Sequence, residues 1–210
     1  MSEVSRPDPV IEAVGLTKTW PGGGGLPPVD LVLRRGRVTV LRGRSGSGKS
    51  TLLSILAGWS EPTAGRLDRA PGTDPSTWAG TAIVPQSLGL IPELTVRENV
   101  EAPIRLAGED TDETVLSALL RALSIEEFVD RIPGELSVGQ RQRVAIARAL
   151  ARPAAVILVD EPTSHQDADH AAAVVAALAA AAARGATVLI ATHDERVIGA
   201  ADDVIDLDHS

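Results

Sequence analysis

The 210-residue chain has no cysteine and no tyrosine, and its aromatic residues amount to three Trp and one Phe. Without thiols, disulfides and thiolate metal sites are excluded. Lysine is nearly missing too: Lys18 and Lys49 stand against 18 Arg, so lysine is not the casual choice for a surface cation here. Acidic residues outnumber basic ones, for a formal charge of −8. That balance argues against sequence-independent binding to nucleic acid, which needs a basic face. Long hydrophobic runs are also lacking. The longest, Ala171–Ala183, has 13 residues, mostly Ala; it is too short and too weakly apolar to span a bilayer, and its composition favours a helix in water. The opening Met-Ser-Glu-Val-Ser-Arg-Pro-Asp-Pro has no apolar core of a signal peptide. The expected location is therefore cytoplasmic, with any membrane association made through a partner.

What is present suits one folded domain, or one with an inserted lobe: 44% apolar and 23% charged residues over a length that supports a substantial core. The most informative stretch is Val38–Thr51, which contains Gly43-x-x-x-x-Gly48-Lys49-Ser50. The apolar, β-branched run Val38–Leu41 predicts a buried strand, and Ser50–Ala57, with Leu52, Leu53, Ile55 and Leu56, predicts a helix. Strand, glycine loop and helix together are the context of a phosphate-binding P-loop. Gly43, Gly46 and Gly48 permit turns in which backbone N–H groups converge on an anion, and the helix adds its positive end. Along Gly43, Arg44, Ser45, Gly46, Ser47, Gly48, Lys49, Ser50 and Thr51, the expected ligand is a nucleoside triphosphate. Lys49 would sit at the β- and γ-phosphates and the Ser50 hydroxyl on Mg²⁺.

Elsewhere, strands are expected at Val10–Thr19 and Val29–Leu33, separated by a Pro/Gly loop over 21–28. Trp20, just before that loop, offers a ring face on which adenine can stack. After a polar stretch over 61–81 comes a short strand, Thr81–Val84, ending at Pro85-Gln86. Helical character follows from Leu94 to Leu123. Thr95-Val-Arg-Glu98 forms a capping box ahead of Val96, Val100, Ile104 and Leu106 at helical spacing, and a second amphipathic helix spans Thr111–Leu123. Ser137 opens a third helix to about Ala151, with Arg141, Arg143, Arg148 and Arg152 assigned to its polar side and Pro153 ending it. Ala154–Val159 and Ala186–Ala191 read as central parallel strands, running into Asp160-Glu161 and Thr192-His193. A short helix and a last strand complete the chain.

Four apolar strands thus end in distinctive polar groups: the P-loop, Gln86, Asp160-Glu161 and His193. In open α/β sheets ligands sit beyond the carboxyl ends of the strands, so all four are expected around one phosphate group. Asp160 fits a Mg²⁺ ligand, with Ser50 and Gln86 beside it; Glu161 fits a base toward the attacking water, and His193 a γ-phosphate contact. Asp160 and Glu161 also suit a helix cap, and Ser137-x-x-Gln140 is a capping box as well as a possible anion site, with Gly139 baring its N–H. His165, His170, Asp167 and Asp169 match no metal-site spacing.

As an ordered set, Gly43–Ser50, Gln86, Leu136-Ser-Val-Gly-Gln140, Val156-Ile-Leu-Val-Asp-Glu161, Ser164-His-Gln-Asp167 and His193 resemble the ATP-binding subunits of ABC transporters over nearly the whole chain. The resemblance implies an α/β P-loop NTPase core with a mostly parallel sheet, an N-terminal antiparallel β part and an inserted α-helical lobe. It places a RecA-like core at about 1–86 and 154–210 and the lobe at about 87–153. It further implies that Ser137, Val138, Gly139 and Gln140 meet the ATP of a partner subunit, that Asp167 lies in the D-loop across the dimer, and that a second copy or a paralogue completes two ATP sites. Segments near Gln86 and the lobe would receive an integral membrane permease, holding the chain on the inner face of the cell membrane. The run Leu88–Val100 looks like the branch serving lipoprotein release and macrolide export. Two positions depart from the family pattern: Val138 stands where Gly is usual, and His165-Gln166 where small or apolar residues are common. Two alternatives are a soluble ABC ATPase acting on nucleic acid or the ribosome, disfavoured by the charge and the short gap from Ser50 to Ser137, and a non-hydrolysing ATP-dependent adaptor.

Overall fold

The computed structural model describes residues 8–208. Residues 1–7, most of the segment read above for a leader, lie outside the described residues, as do the last two. Five strands form a parallel sheet: β3 (Val38–Arg42), β5 (Thr81–Val84), β6 (Val156–Asp160), β7 (Thr187–Ala191) and β8 (Asp203–Asp206), in the order β5-β6-β7-β3-β8. Every residue of β6 and β7 is buried, as continuous apolar runs in the middle of a covered parallel sheet require. A separate antiparallel sheet has the order β2-β1-β4, from β1 (Pro9–Thr19), β2 (Gly25–Arg34) and β4 (Ala64–Arg69).

Alternation along the parallel strands feeds two cores. Leu41, Val156, Leu158, Leu189 and Ala191 point to one side, against the antiparallel sheet and helix α1 (Lys49–Leu56). Val38, Val40, Ile157, Val159, Val188 and Ile190 point to the other. There they pack with α2 (Val96–Leu106), α3 (Glu113–Ala122), α4 (Val138–Leu150) and α5 (Ala168–Ala183). A four-residue helix, α6 (Glu195–Ile198), precedes β8. The Thr95/Glu98 and Ser137/Gln140 capping boxes both form, so each helix starts where its sequence signal stands. In α5 the buried stripe is Ala171, Val174, Leu178, Ala181 and Ala182, at helical spacing. Among the described residues no helix is long and apolar enough to cross a membrane.

Four local readings are corrected. The loop after Trp20 is shorter than 21–28: β2 already starts at Gly25 and includes Pro27 and Pro28. Proline lacks a ladder donor but is tolerated because β2 is an edge strand. The strand predicted from Ala154 begins at Val156. Leu106, assigned to the apolar face of its helix, is 76% exposed at its last turn. Arg143 and Arg148, assigned to a polar face, are buried, because α4 lies between the other helices and the sheet with polar partners waiting for both.

Leu158 is fully buried on β6. Leu158→Ala should cost about 2–5 kcal/mol through lost burial and a residual cavity, read as a lower urea midpoint with an unchanged slope.

Candidate active site

Register sets the site. Leu41 pairs with Ala191, and Ala191 with Asp160, so the P-loop, Glu161 and His193 all leave the sheet from one row. Val84 pairs with Val159, placing Pro85-Gln86 beside them. A cavity of about 1010 Å³ opens over this edge. Its lining includes Gly43–Gly46, Gly48–Thr51, Gln86, Asp160, Glu161 and His193, with Trp20 at its margin. The four strand-end features expected to converge do so.

Gly48 caps α1 with φ +99°, and a Cβ there would lie 2.8 Å from the Gly25 carbonyl oxygen. Only glycine serves at that junction. Lys49 is buried, and its ammonium donates to the carbonyls of Gly43 (2.6 Å) and Arg44 (3.1 Å). Ser50 Oγ donates to Asp160 Oδ2 at 2.7 Å. Burial is the main cause of a raised Asp160 pKa, opposed by the Ser50 hydroxyl; the Glu161 charge adds to it and Lys49 opposes it. The Arg44 N–H turns away to the Asp208 carboxylate at 3.1 Å, and the Ser47 hydroxyl is buried against Gly43 rather than lining the cavity.

Glu161 has a left-handed backbone, φ +47°. Its N–H donates to Ala191 O at 2.8 Å. Its carbonyl accepts from the Ser164 hydroxyl at 2.9 Å and from the Gln142 side-chain amide. The carboxylate accepts from Thr192 Oγ1 at 3.0 Å, and its other oxygen shares a 3.0 Å hydrogen bond with His193 Nδ1. The expected base and the expected γ-phosphate contact are thus in direct contact. Gln142, two residues beyond a recognised motif, escaped sequence reasoning; Ser164 and Thr192 were named only as members of their motif or strand end, without a role in holding Glu161. Trp20 is 41% exposed, with the Lys18 ammonium 4.7 Å from its ring centroid.

The Ser137–Gln140 turn stands at the amino end of α4, and of its residues only Val138 reaches the cavity lining. Val138 is the first helical residue and 45% exposed, so its branched side chain meets no obstacle. Gly139 is different. A Cβ there would stand 2.7 Å from the His165 carbonyl oxygen. Asp167 caps α5 and accepts from the backbone and ring of His170. Among the described residues no group of three or more His, Cys, Asp or Glu forms a metal cluster.

A model of the family described as ABC transporter matches residues 26–164. The macrolide export ATP-binding/permease protein MacB of Shigella flexneri is 37% identical over 215 residues, covering 95% of this chain and 33% of MacB. The arabinose import ATP-binding protein AraG of Azospirillum brasilense is 38% identical over 228 residues, covering 95% of this chain and 44% of AraG. The chain therefore spans between a third and a half of the length of these curated relatives. The dimeric structure of MJ0796, a bacterial ABC transporter cassette, superposes with a TM-score of 0.81 at 32% identity over 93% of each chain. A dimeric post-hydrolysis state of MJ0796 bound to ADP and Pi gives 0.80 at the same identity and coverage.

Beside His193, Asp194 caps α6 and accepts from Thr163 Oγ1 at 2.7 Å. The Arg196 guanidinium, with help from Thr163, holds its carboxyl well below the usual carboxylate range. A depressed native pKa stabilises the fold above the unfolded value and loses that effect as pH falls. Asp194→Ala should therefore cost about 1–2 kcal/mol at pH 7. The gap from the parent should narrow as pH falls below about 4 in thermal unfolding.

Proposed function

The chain belongs to the ABC transporter family, and from that membership we propose that it is an ATP-binding and ATP-hydrolysing cassette that closes with a second cassette around MgATP to drive a membrane permease. One observation carries the reading: Lys49, Ser50, Gln86, Asp160, Glu161 and His193 meet at a single cavity although they leave the sheet from four different strands.

Each residue has work suited to its surroundings. The Lys49 ammonium, now on loop carbonyls, turns to the β- and γ-phosphates, and the amides of the Gly46–Lys49 turn receive phosphate oxygens. The donor set at Ser50, Asp160 and Gln86 is all oxygen-capable, contains one carboxylate and is open to the cavity. That fits Mg²⁺, a hard cation that keeps waters and substrate phosphates and needs no all-protein cage. Held by Ser50, Asp160 and Gln86, Mg²⁺ would supply neutralisation of phosphate charge. Glu161 takes a proton from the attacking water. Thr192 and His193 hold its two oxygens, and the backbone bonds around its left-handed φ fix the direction of its side chain. His193, its side chain 79% exposed, also reaches the γ-phosphate. Trp20 stacks on adenine with Lys18 behind the ring.

Ser137, Val138, Gly139 and Gln140 face the nucleotide of the partner cassette, a second copy or a paralogue, and Asp167 lies in the loop that crosses to it. The likeness to dimeric MJ0796 supports this assembly. The lobe at about 87–153 docks a separate permease, which would hold the chain on the inner face of the membrane. Similarity to MacB supports the export branch.

Glu161→Gln should lower phosphate release by about 10²-fold or more and leave a nucleotide-trapped dimer visible by light scattering. Unchanged turnover would remove Glu161 from the role of base. Lys49→Ala should lose most ATP affinity by calorimetry, and normal binding would undo the P-loop assignment.

A further inference from the structure

Helix α4 buries a cation that no carboxylate pairs with among the described residues. Arg148 is 8% exposed, and burial alone lowers its pKa from the ordinary guanidinium value. A buried charge without an ion-pair partner is costly unless hydrogen bonds offset its lost hydration. Here the donors go to two consecutive main-chain carbonyls, Leu88 O at 2.8 Å and Gly89 O at 2.6 Å. Leu88 ends, and Gly89 follows, the tight turn that begins at Pro85, closed by the Leu88 N–H on Pro85 O at 2.9 Å. Gln86 sits inside this turn and lines the cavity.

The turn is not at rest by itself. Leu88 has φ +64° and Gly89 φ +58°. A leucine in the left-handed region is strained and persists only where its surroundings hold it. Downstream, Asn99 of α2 holds Ile91 through both its N–H (2.8 Å) and its carbonyl (3.0 Å). Between that anchor and β5, the Arg148 fork is, among the described residues, the side chain that grips the loop backbone. A planar guanidinium spans two adjacent carbonyls, which a lysine ammonium on its flexible stem does not match.

We propose that Arg148 is a positioning residue for Gln86: its grip on Leu88 and Gly89 keeps the Pro85–Leu88 turn in the form that presents the Gln86 amide to the cavity. The role rests on the ATPase reading above and adds a link to it. The helix that carries Val138 at one margin of the cavity also sets Gln86 at another, so a shift of α4 moves both.

The test uses the full chain with Arg148→Lys, Gln86→Ala and the double variant, each checked for cooperative thermal unfolding. With MgATP, R148K should lower kcat about tenfold with KM within about twofold, the signature of a contact made in the transition state. On the Q86A background the same substitution should cost almost nothing more, because both act through one group. In nucleotide-free protein, amide exchange at 86–90 should speed up about tenfold while the middle of α4 stays protected. An additive loss in the double variant, or unchanged exchange at 86–90, would overturn the proposal. A parent chain that fails to turn over ATP would instead count against the ATPase reading, and the exchange measurement would still decide Arg148. If R148K does not fold, R148Q, which keeps a short amide donor, carries the same measurements.

Discussion

The flush carboxyl ends of β3, β6 and β7 are the constraint on which the molecule depends. Their pairing brings Leu41, Ala191 and Asp160 into one row, and each strand exits directly into a polar group. The pairing cannot slip. Successive residues alternate between two apolar cores, so a one-residue shift would exchange every side chain facing the helices with one facing the antiparallel sheet. The hydrophobic pattern of fifteen strand residues thereby fixes the height at which the P-loop, Glu161 and His193 emerge. No direct contact among the three is needed to bring them to that height.

Where regular structure ends, strain begins, and it gathers at the cavity. Of the four non-glycine residues with positive φ among those described, Leu88, Glu161 and His165 line it. Such conformations hold only when their surroundings over-determine them. Helix α4 reaches all three segments: Arg148 binds the Leu88 carbonyl, Gln142 the Glu161 carbonyl, and Gly139 packs against the His165 carbonyl. Gln166, beside His165, donates to Gly139 O at 2.8 Å and accepts from Arg143 at 2.8 Å. Buried polar side chains on one helix therefore shape the irregular backbone that the sheet cannot shape.

That division explains what the sequence made legible. The P-loop, the strand ends and the two capping boxes depend on neighbours a few residues away, and periodicity or a short pattern reveals them. Convergence at one edge followed from the general behaviour of parallel sheets. Arg143 and Arg148 were misplaced because helical periodicity sends charge to water, and only the packed loops show that the Gln166 side chain accepts from Arg143 and the Leu88 and Gly89 carbonyls from Arg148. Gln142 was passed over for the same reason. Pro27 and Pro28 looked like loop because the edge position of β2 is a property of the whole sheet, invisible from the strand itself. Arg44 and Ser47 were assigned by motif membership, which does not reveal the direction of a loop atom, set by neighbours such as Asp208.

The departure at Val138 can be judged on the same terms. The family pattern, with Gly usual at 138 beside Gly139, suggests that both positions need the same freedom, and the structure separates them. Val138 has entered the helix, where one rotamer is available to a branched side chain, and it is half exposed to the cavity margin. Gly139 faces the His165 carbonyl at a distance that no Cβ can occupy. Within this chain the steric requirement for glycine therefore belongs to 139, where the helix and the loop after β6 touch, whereas Val138 is 45% exposed and lines the cavity. Val138 leaves that contact intact and puts an apolar surface on the side of α4 that faces the cavity.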